Sequence, residues 1–289
     1  MANGHEWAAG ARPRTLPAAV APVLLGTGAA AQLGAASLGR AVLAGVVALA
    51  LQVGVNFAND YSDGVRGTDV DRVGPMRLTA SGAARPGQVK AAAFAAFGLA
   101  ALAGLALVAV SAHWWLLAVG AAAILAAWFY TGGKRPYGYR GLGEVGVFVF
   151  FGLVATLGTT YTQAGRLSWP AWAGAIGTGL LACALLMVNN LRDIPTDALS
   201  GKRTLAVRLG DHRARLAYQW LVTLPILLGV ACAFVAPWSL LVVLLGAAVA
   251  VLVTAVRAGA RGIALVPVLA GTGMLQLGFG VLLGLGLAV

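Results

Sequence analysis

The chain has 289 residues, 60% hydrophobic and 10% charged, with a mean hydropathy of +0.86. A water-soluble domain of that composition would expose apolar surface on an aggregating scale, so the composition excludes one and points to a single membrane domain over residues 1–289. The excess of 20 Lys and Arg over 9 Asp and Glu would suggest nucleic acid in a soluble chain. In a membrane chain it marks cytoplasmic loops beside anionic lipid, so a lipid partner and no nucleic acid are expected.

A spanning helix needs about 20 apolar residues. Apolar runs bounded by charges, Pro and Gly give nine predicted spans, near 15–34, 38–59, 89–111, 114–131, 143–163, 169–190, 214–235, 238–256 and 263–288. The expected fold is therefore all-α and multi-pass. The stretch before the first run precedes a span too long for a signal-peptide core, and no cleavage is expected. With a cytoplasmic N-terminus, 18 of the 20 cations fall on inner segments and only Arg40 and Arg166 fall outside. An error of one span would scramble that alternation, so the charge bias supports both the count and the orientation. Cys183 and Cys232 lie inside apolar runs, which leaves no disulfide framework or Cys-based metal site.

The acids are more clustered than the bases. Asp60, Asp63, Asp69 and Asp71 follow the second span, and Asp193 and Asp197 follow the sixth. Spans four apart run in the same direction, so both clusters emerge on one side and can face one another. The connections at 60–88 and 191–213 are read as long loops, which are usually functional or disordered. On a helix, residues four apart share a face, which aligns Asn59 with Asp63 and Asn189 with Asp193. Pro195 is expected to break or kink the following turn, leaving Asp197 just past the helix end. Each cluster presents oxygen ligands from a helix end, and Mg²⁺ is typically held by one or two carboxylates together with substrate phosphates. The pattern points to a Mg²⁺-bound diphosphate among cationic loops. Solvated, charge-balancing acids would not need Asn-x-x-x-Asp at two helix ends, and a proton or sodium relay would place acids within spans.

Other conspicuous residues have plainer readings. Trp114, Trp115, Trp169, Trp172 and Trp238 fall at outer span ends as an interfacial belt. The many glycines would let helices approach closely. Glu144 is a helix N-terminal charge or an acceptor contact. His5, His113 and His212 share no metal-ligand spacing.

Asn189, Asp193 and Asp197 followed by Gly201, Lys202 and Thr204, together with the Asn59-Asp60-Tyr61-x-Asp63 run, resemble the two aspartate-rich motifs of the UbiA superfamily of intramembrane prenyltransferases. The resemblance covers nearly the whole chain. One departure is visible: Gly67 stands where the usual third acid of the first motif would fall, with Asp69 two residues later. That variant resembles the branch of 1,4-dihydroxy-2-naphthoate prenyltransferases of menaquinone synthesis. So do Arg12-Pro13-Arg14-Thr15-Leu16-Pro17, the stretch from Tyr130 to Glu144, and Pro267 to Thr272.

The resemblance implies nine helices around a lipid-open cavity in a bacterial cell membrane, with the active site facing the cytoplasm. It implies Mg²⁺ as cofactor, and polyprenyl diphosphate and the dihydroxynaphthoate as substrates. The ring carbon attacked carries the carboxylate, which leaves as CO₂ to give a demethylmenaquinone. Carried over residue by residue, it implies Asn59, Asp60, Asp63, Asn189, Asp193 and Asp197 as metal ligands. Asp63, Asp69, Asp193, Asp197 and Lys134 would be catalytic. Asn56, Asn59, Arg72, Arg77, Lys134, Arg135, Asn189 and Lys202 would contact substrate, with Tyr130, Tyr137 and Tyr139 shaping the pocket of the allylic cation. Two rivals remain at this level: another aromatic acceptor such as 4-hydroxybenzoate, and a cation-coupled secondary transporter. An alcohol phosphotransferase would need an Asp-Gly-x-x-Ala-Arg run, which the chain lacks.

Overall fold

Ala- and Leu-rich runs satisfy their backbone hydrogen bonds within one helix, the condition for crossing hydrocarbon. The computed structural model describes residues 2–67 and 76–289, and these form helices joined by short turns, with no strand among the described residues. Asp69, Asp71 and Arg72 lie outside the described residues. Helix α1 (Gly4–Gly10) and a 3-10 turn at Pro13–Thr15 meet α2 (Pro17–Gln32) at a bend of 51°. There follow α3 (Leu38–Arg66), α4 (Pro86–Ser111), α5 (Leu116–Phe129), α6 (Gly143–Ala164), α7 (Trp169–Leu199), α8 (Leu205–Phe234), α9 (Pro237–Arg257) and α10 (Gly262–Ala288).

Seven of these are long and apolar enough to cross a membrane, and the bent α1–α2 pair makes an eighth when taken as one span. The predicted span near 114–131 is α5, with only 14 residues. At 1.5 Å per residue such a helix is about 21 Å long, short of a hydrocarbon core of about 30 Å.

Polar sequence does not end the helices where hydropathy does. α3 continues to Arg66, α7 continues to Leu199 and α8 starts at Leu205, so much of what reads as long loop is helix. Pro195, expected to break or kink α7, lies inside it. The ring removes one backbone bond, while Thr196 Oγ1 donates to the Asp193 carbonyl at 3.0 Å. The helix therefore keeps Asn189, Asp193 and Asp197 in register. The real break comes later, at Gly210 (φ +75°, ψ 165°), which turns the first residues of α8 against the rest.

Most of α7 is covered by protein, with 72% of its apolar window buried, against 28 to 50% for the other long helices. Two glycine contacts show how closely the helices approach. A Cβ on Gly152 of α6 would lie 2.4 Å from Gly179 Cα of α7, and one on Gly28 of α2 would lie 2.0 Å from the Gly284 carbonyl oxygen of α10. Close approach is thus the use of some glycines, while Gly98, Gly120 and Gly158 face open space. At one end of the bundle Arg40 donates to the carbonyls of Val110, Thr162 and Gln163, closing the C-terminal turns of α4 and α6. The five tryptophans read as a belt are all exposed. The opposite end gathers the polar ends of α3 and α7 with the 130–142 connection, and the site lies there.

Candidate active site

The last two turns of α3 carry Asn59, Asp60 and Asp63, all buried. Helical spacing sends Asn59 and Asp63 to the same face, and both line the principal cavity. Asn59 Oδ1 accepts from Thr131 Oγ1 at 2.7 Å. Asp63 accepts from the hydroxyl of Tyr139 and lies 3.5 Å from Lys202 Nζ. That lysine reaches back because Gly201 (φ +75°) reverses the chain just after α7, in a conformation other residues adopt with strain. The reversal is closed by Lys202 N donating to the Asp197 carbonyl at 2.9 Å. Lys202 Nζ also sits 4.7 Å from the centre of the Tyr139 ring, and Arg66 5.5 Å from it.

The facing wall is α7. Asn189, Asp193 and Asp197 occur at successive four-residue steps and all line the same cavity. Arg192 holds the first two from the protein side: Nε and Nη2 donate to the two oxygens of Asp193 at 2.7 Å each, and Nη2 donates to Asn189 Oδ1 at 3.0 Å. Buried Glu144 accepts from Asn190 Nδ2 at 3.2 Å, which ties the start of α6 to the same turn of α7.

The cavity has a volume of about 560 Å³. Its polar end is closed by these oxygens and by Lys202 and Tyr139. Its length is lined by small and apolar residues such as Ala48, Gly104, Ile124 and Phe150. A second polar group faces it from the α1–α2 elbow, where Asn56 Nδ2 donates to the Ala11 carbonyl at 2.8 Å and to Thr15 Oγ1 at 3.0 Å. Gln52 donates to Asn56 Oδ1 at 3.1 Å, and Arg12 donates to the Asn56 carbonyl at 3.3 Å. Tyr130 and Tyr137 pack edge to face with centroids 5.5 Å apart, and both line the cavity. Burial pushes the Tyr137 phenol up to about 12, so it stays a neutral hydrogen-bond donor at physiological pH.

The structure sorts the residues that the sequence grouped. Asn56, Asn59, Asp63, Arg77, Tyr130, Tyr137, Tyr139, Asn189, Asp193, Asp197 and Lys202 line one cavity. Asp60 does not: its two oxygens accept the backbone amides of Leu78 and Thr79 at 2.8 Å each. It anchors the segment after α3 and does not line the cavity, because position 60 points about 100° around the helix from position 59. Lys134 and Arg135 are exposed and do not line the cavity, since Gly132 and Gly133 turn the chain outward there and Arg66 binds the Thr131 and Gly133 carbonyls. Asp69 and Arg72 lie outside the described residues. Sequence reasoning missed Arg192, although it stands inside the quoted motif, and gave no role to Arg12 and Gln52. A cation next to an acid inside the motif, Arg192 beside Asp193, was the available signal.

Among the described residues no three His, Cys, Asp or Glu side chains converge into a metal cage. What the cavity offers is carboxylates and side-chain amides facing each other across an opening. That donor set suits Mg²⁺, which takes part of its shell from substrate phosphates, and does not suit a closed all-protein cage. Chemically the cavity fits a molecule with an anionic head and a long apolar tail.

A family model described as the UbiA prenyltransferase family matches residues 19–262. The chain is 55% identical over 278 residues to the 1,4-dihydroxy-2-naphthoate octaprenyltransferase of Mycobacterium tuberculosis, covering 96% of this chain and 94% of that one. It is 43% identical over 221 residues to the Escherichia coli protein of the same name, covering 74% of this chain and 72% of that one. Its fold matches a UbiA homolog from Archaeoglobus fulgidus solved with GPP and Mg²⁺, with a TM-score of 0.69 at 15% identity over 95% of this chain and 98% of that one. Arrangement and relatives agree, and the chain belongs to the UbiA prenyltransferase family.

Proposed function

We propose that this enzyme transfers a polyprenyl group from a prenyl diphosphate to 1,4-dihydroxy-2-naphthoate, with loss of diphosphate and CO₂, in menaquinone synthesis. The observation that carries the reading is the meeting of two Asn/Asp clusters from distant parts of the chain, through Asp63, Tyr139 and Lys202, at the polar end of an apolar cavity. The names of the relatives at 43 and 55% identity favour the naphthoate over other aromatic acids.

In this mechanism Asn59, Asp63, Asn189, Asp193 and Asp197 would hold Mg²⁺ together with the diphosphate. The ion, when bound, offsets the charge on the departing oxygens. Lys202 adds a fixed positive charge beside them, so stabilisation grows as the prenyl C–O bond breaks and its electron pair passes to the diphosphate. Tyr139, Tyr137 and Tyr130 turn ring surfaces toward the allylic cation and keep water from it. The polar group of Arg12, Thr15, Gln52 and Asn56 receives the hydroxyls and carboxylate of the aromatic acid. The ring carbon bearing the carboxylate attacks C1 of the prenyl cation. The bond to the carboxylate carbon then breaks, its electrons return to the ring, and the quinol form of demethylmenaquinone results.

The chain works in this reading as one membrane domain of nine spans, α5 completing the set as a short one. Its N-terminus and active site face the cytoplasm of a bacterial inner membrane, the orientation favoured by the cation bias. The test is incubation of membranes with labelled prenyl diphosphate and either dihydroxynaphthoate or 4-hydroxybenzoate. Labelled lipid with the naphthoate alone is expected. Product only with the benzoate would redirect the acceptor assignment, and none with either would refute the function. For orientation, Ser81→Cys in a background lacking Cys183 and Cys232 should react with impermeant thiol reagents only when the cytoplasmic face is open. Labelling from outside intact cells would reverse it.

A further inference from the structure

We infer that Arg192 is a positioning residue that makes the protein take up its divalent cation together with a diphosphate and not alone. The inference rests on the metal and diphosphate reading of the cavity. Consecutive residues on a helix point about 100° apart and do not ordinarily face each other. Arg192 nevertheless doubles back to place Nε and Nη2 at 2.7 Å from the two oxygens of Asp193, with Nη2 also 3.0 Å from Asn189 Oδ1. Its side chain is 3% exposed and lies outside the cavity lining. A guanidinium so desolvated is retained only where its partners are well placed, and the planar two-donor fork needed here is one lysine lacks.

Two consequences follow from that geometry. The side chains of Asn189 and Asp193 are held in fixed orientations by the one guanidinium while both residues line the cavity. The negative charge of Asp193 is also largely offset before any cation arrives, so the protein's pull on a free divalent ion is weak. A diphosphate adds the missing oxygens and charge, and the ion then binds to protein and substrate jointly, the usual habit of Mg²⁺. Arg192 thereby sets both the orientation of the ligands and the order of loading.

The experiment uses the purified full-length protein in nanodiscs, with Mn²⁺ as an EPR-visible probe titrated alone and with inorganic pyrophosphate, corrected for the complex formed in solution. Wild type should bind Mn²⁺ weakly alone and about tenfold or more tightly with pyrophosphate, which adds oxygen ligands and negative charge to the site. Arg192→Gln should bind Mn²⁺ alone about tenfold more tightly than wild type, because the charge of Asp193 is no longer offset, gain less from pyrophosphate, and turn over more slowly because its ligands lose their positioning partner. Arg192→Lys keeps the charge without the fork. It should match wild type for Mn²⁺ alone while losing part of the pyrophosphate gain and of kcat. Wild-type affinities in folded Arg192→Gln would overturn the inference. If the glutamine variant fails to fold, an undiminished pyrophosphate gain in Arg192→Lys does so instead. Wild type that binds no Mn²⁺ even with pyrophosphate would sink the parent metal reading, a result distinguishable from failure at Arg192 alone.

Discussion

The contact between Lys202 and Asp63 joins the two motifs, and its removal separates stability from catalysis. Nζ and Oδ1 are 3.5 Å apart, with side chains 11% and 8% exposed. At an effective dielectric of about 20 the attraction is about 5 kcal/mol before desolvation. The net coupling is smaller because both charges give up water, and about 2 kcal/mol is the expected size for such a partly compensated pair. Lys202→Met should therefore destabilise the protein by leaving a buried carboxylate with one cation fewer. Adding Asp63→Asn removes that charge, so the double variant should be more stable than the sum of the single effects predicts. About 2 kcal/mol corresponds to about 4 °C for a chain of this size. The assay is thermal unfolding of the four proteins in one detergent, beside single-turnover prenyl transfer. Activity should show no such recovery: Lys202→Met should raise the KM for prenyl diphosphate, and Asp63→Asn should lower kcat by about a hundredfold or more, the scale of losing a group that stabilises developing charge. Strictly additive Tm changes would refute the coupling. Recovery of activity in the double variant would refute the catalytic use of the pair.

Asp60→Asn should act on stability, not on metal binding. It loses an acceptor for the Leu78 or Thr79 amide, should cost about 1–3 kcal/mol, and should leave the Mg²⁺ dependence of the folded enzyme unchanged; a raised Mg²⁺ requirement would return Asp60 to the ligand set. Lys134→Ala should keep the KM for prenyl diphosphate within about twofold, since a solvated side chain away from the cavity contributes little, and a rise like that of Lys202→Met would contradict the exposed placement. Exhaustive chelation should abolish turnover and added Mg²⁺ should restore it, as hard oxygen donors require; full activity in chelator would reject the two-motif site.

How much of this was legible depends on which physical signal carried it. Apolar runs gave the long helices their places, because a backbone in hydrocarbon has no other partner, while α1 (Gly4–Gly10) lies before the first run. Four-residue spacing gave the shared faces of Asn59 with Asp63 and of Asn189 with Asp193. Hydropathy misplaced the helix ends for a definite reason: it reports where lipid stops, while backbone hydrogen bonding continues through Asp63 and past Pro195. It could not separate Lys134 from Lys202 either. Both are cations after an apolar run. Only the αL turn at Gly201, against the outward turn at Gly132 and Gly133, decides which one returns to the cavity. Asp60 stands apart from the cavity because adjacency to Asn59 and Asp63 in sequence is not adjacency on the helix.

The helix extensions that hydropathy hides are what make the site possible. Had α3 ended at Asn59 and α7 at Asn190, Asp63 and Asp193 would sit on solvated loops, where loose geometry and water would weaken each charge interaction. Because both helices continue beyond their apolar portions, the carboxylates keep helical register while the apolar cavity runs directly up to them. Rigid elements hold an opposed ligand pair more closely than loops can. In the proposed mechanism the remaining mobility is confined to what the substrate supplies, the diphosphate between α3 and α7. Among the described residues no three acids form a preformed cage, which accords with two helices that face each other across the space assigned to the diphosphate in the proposed mechanism.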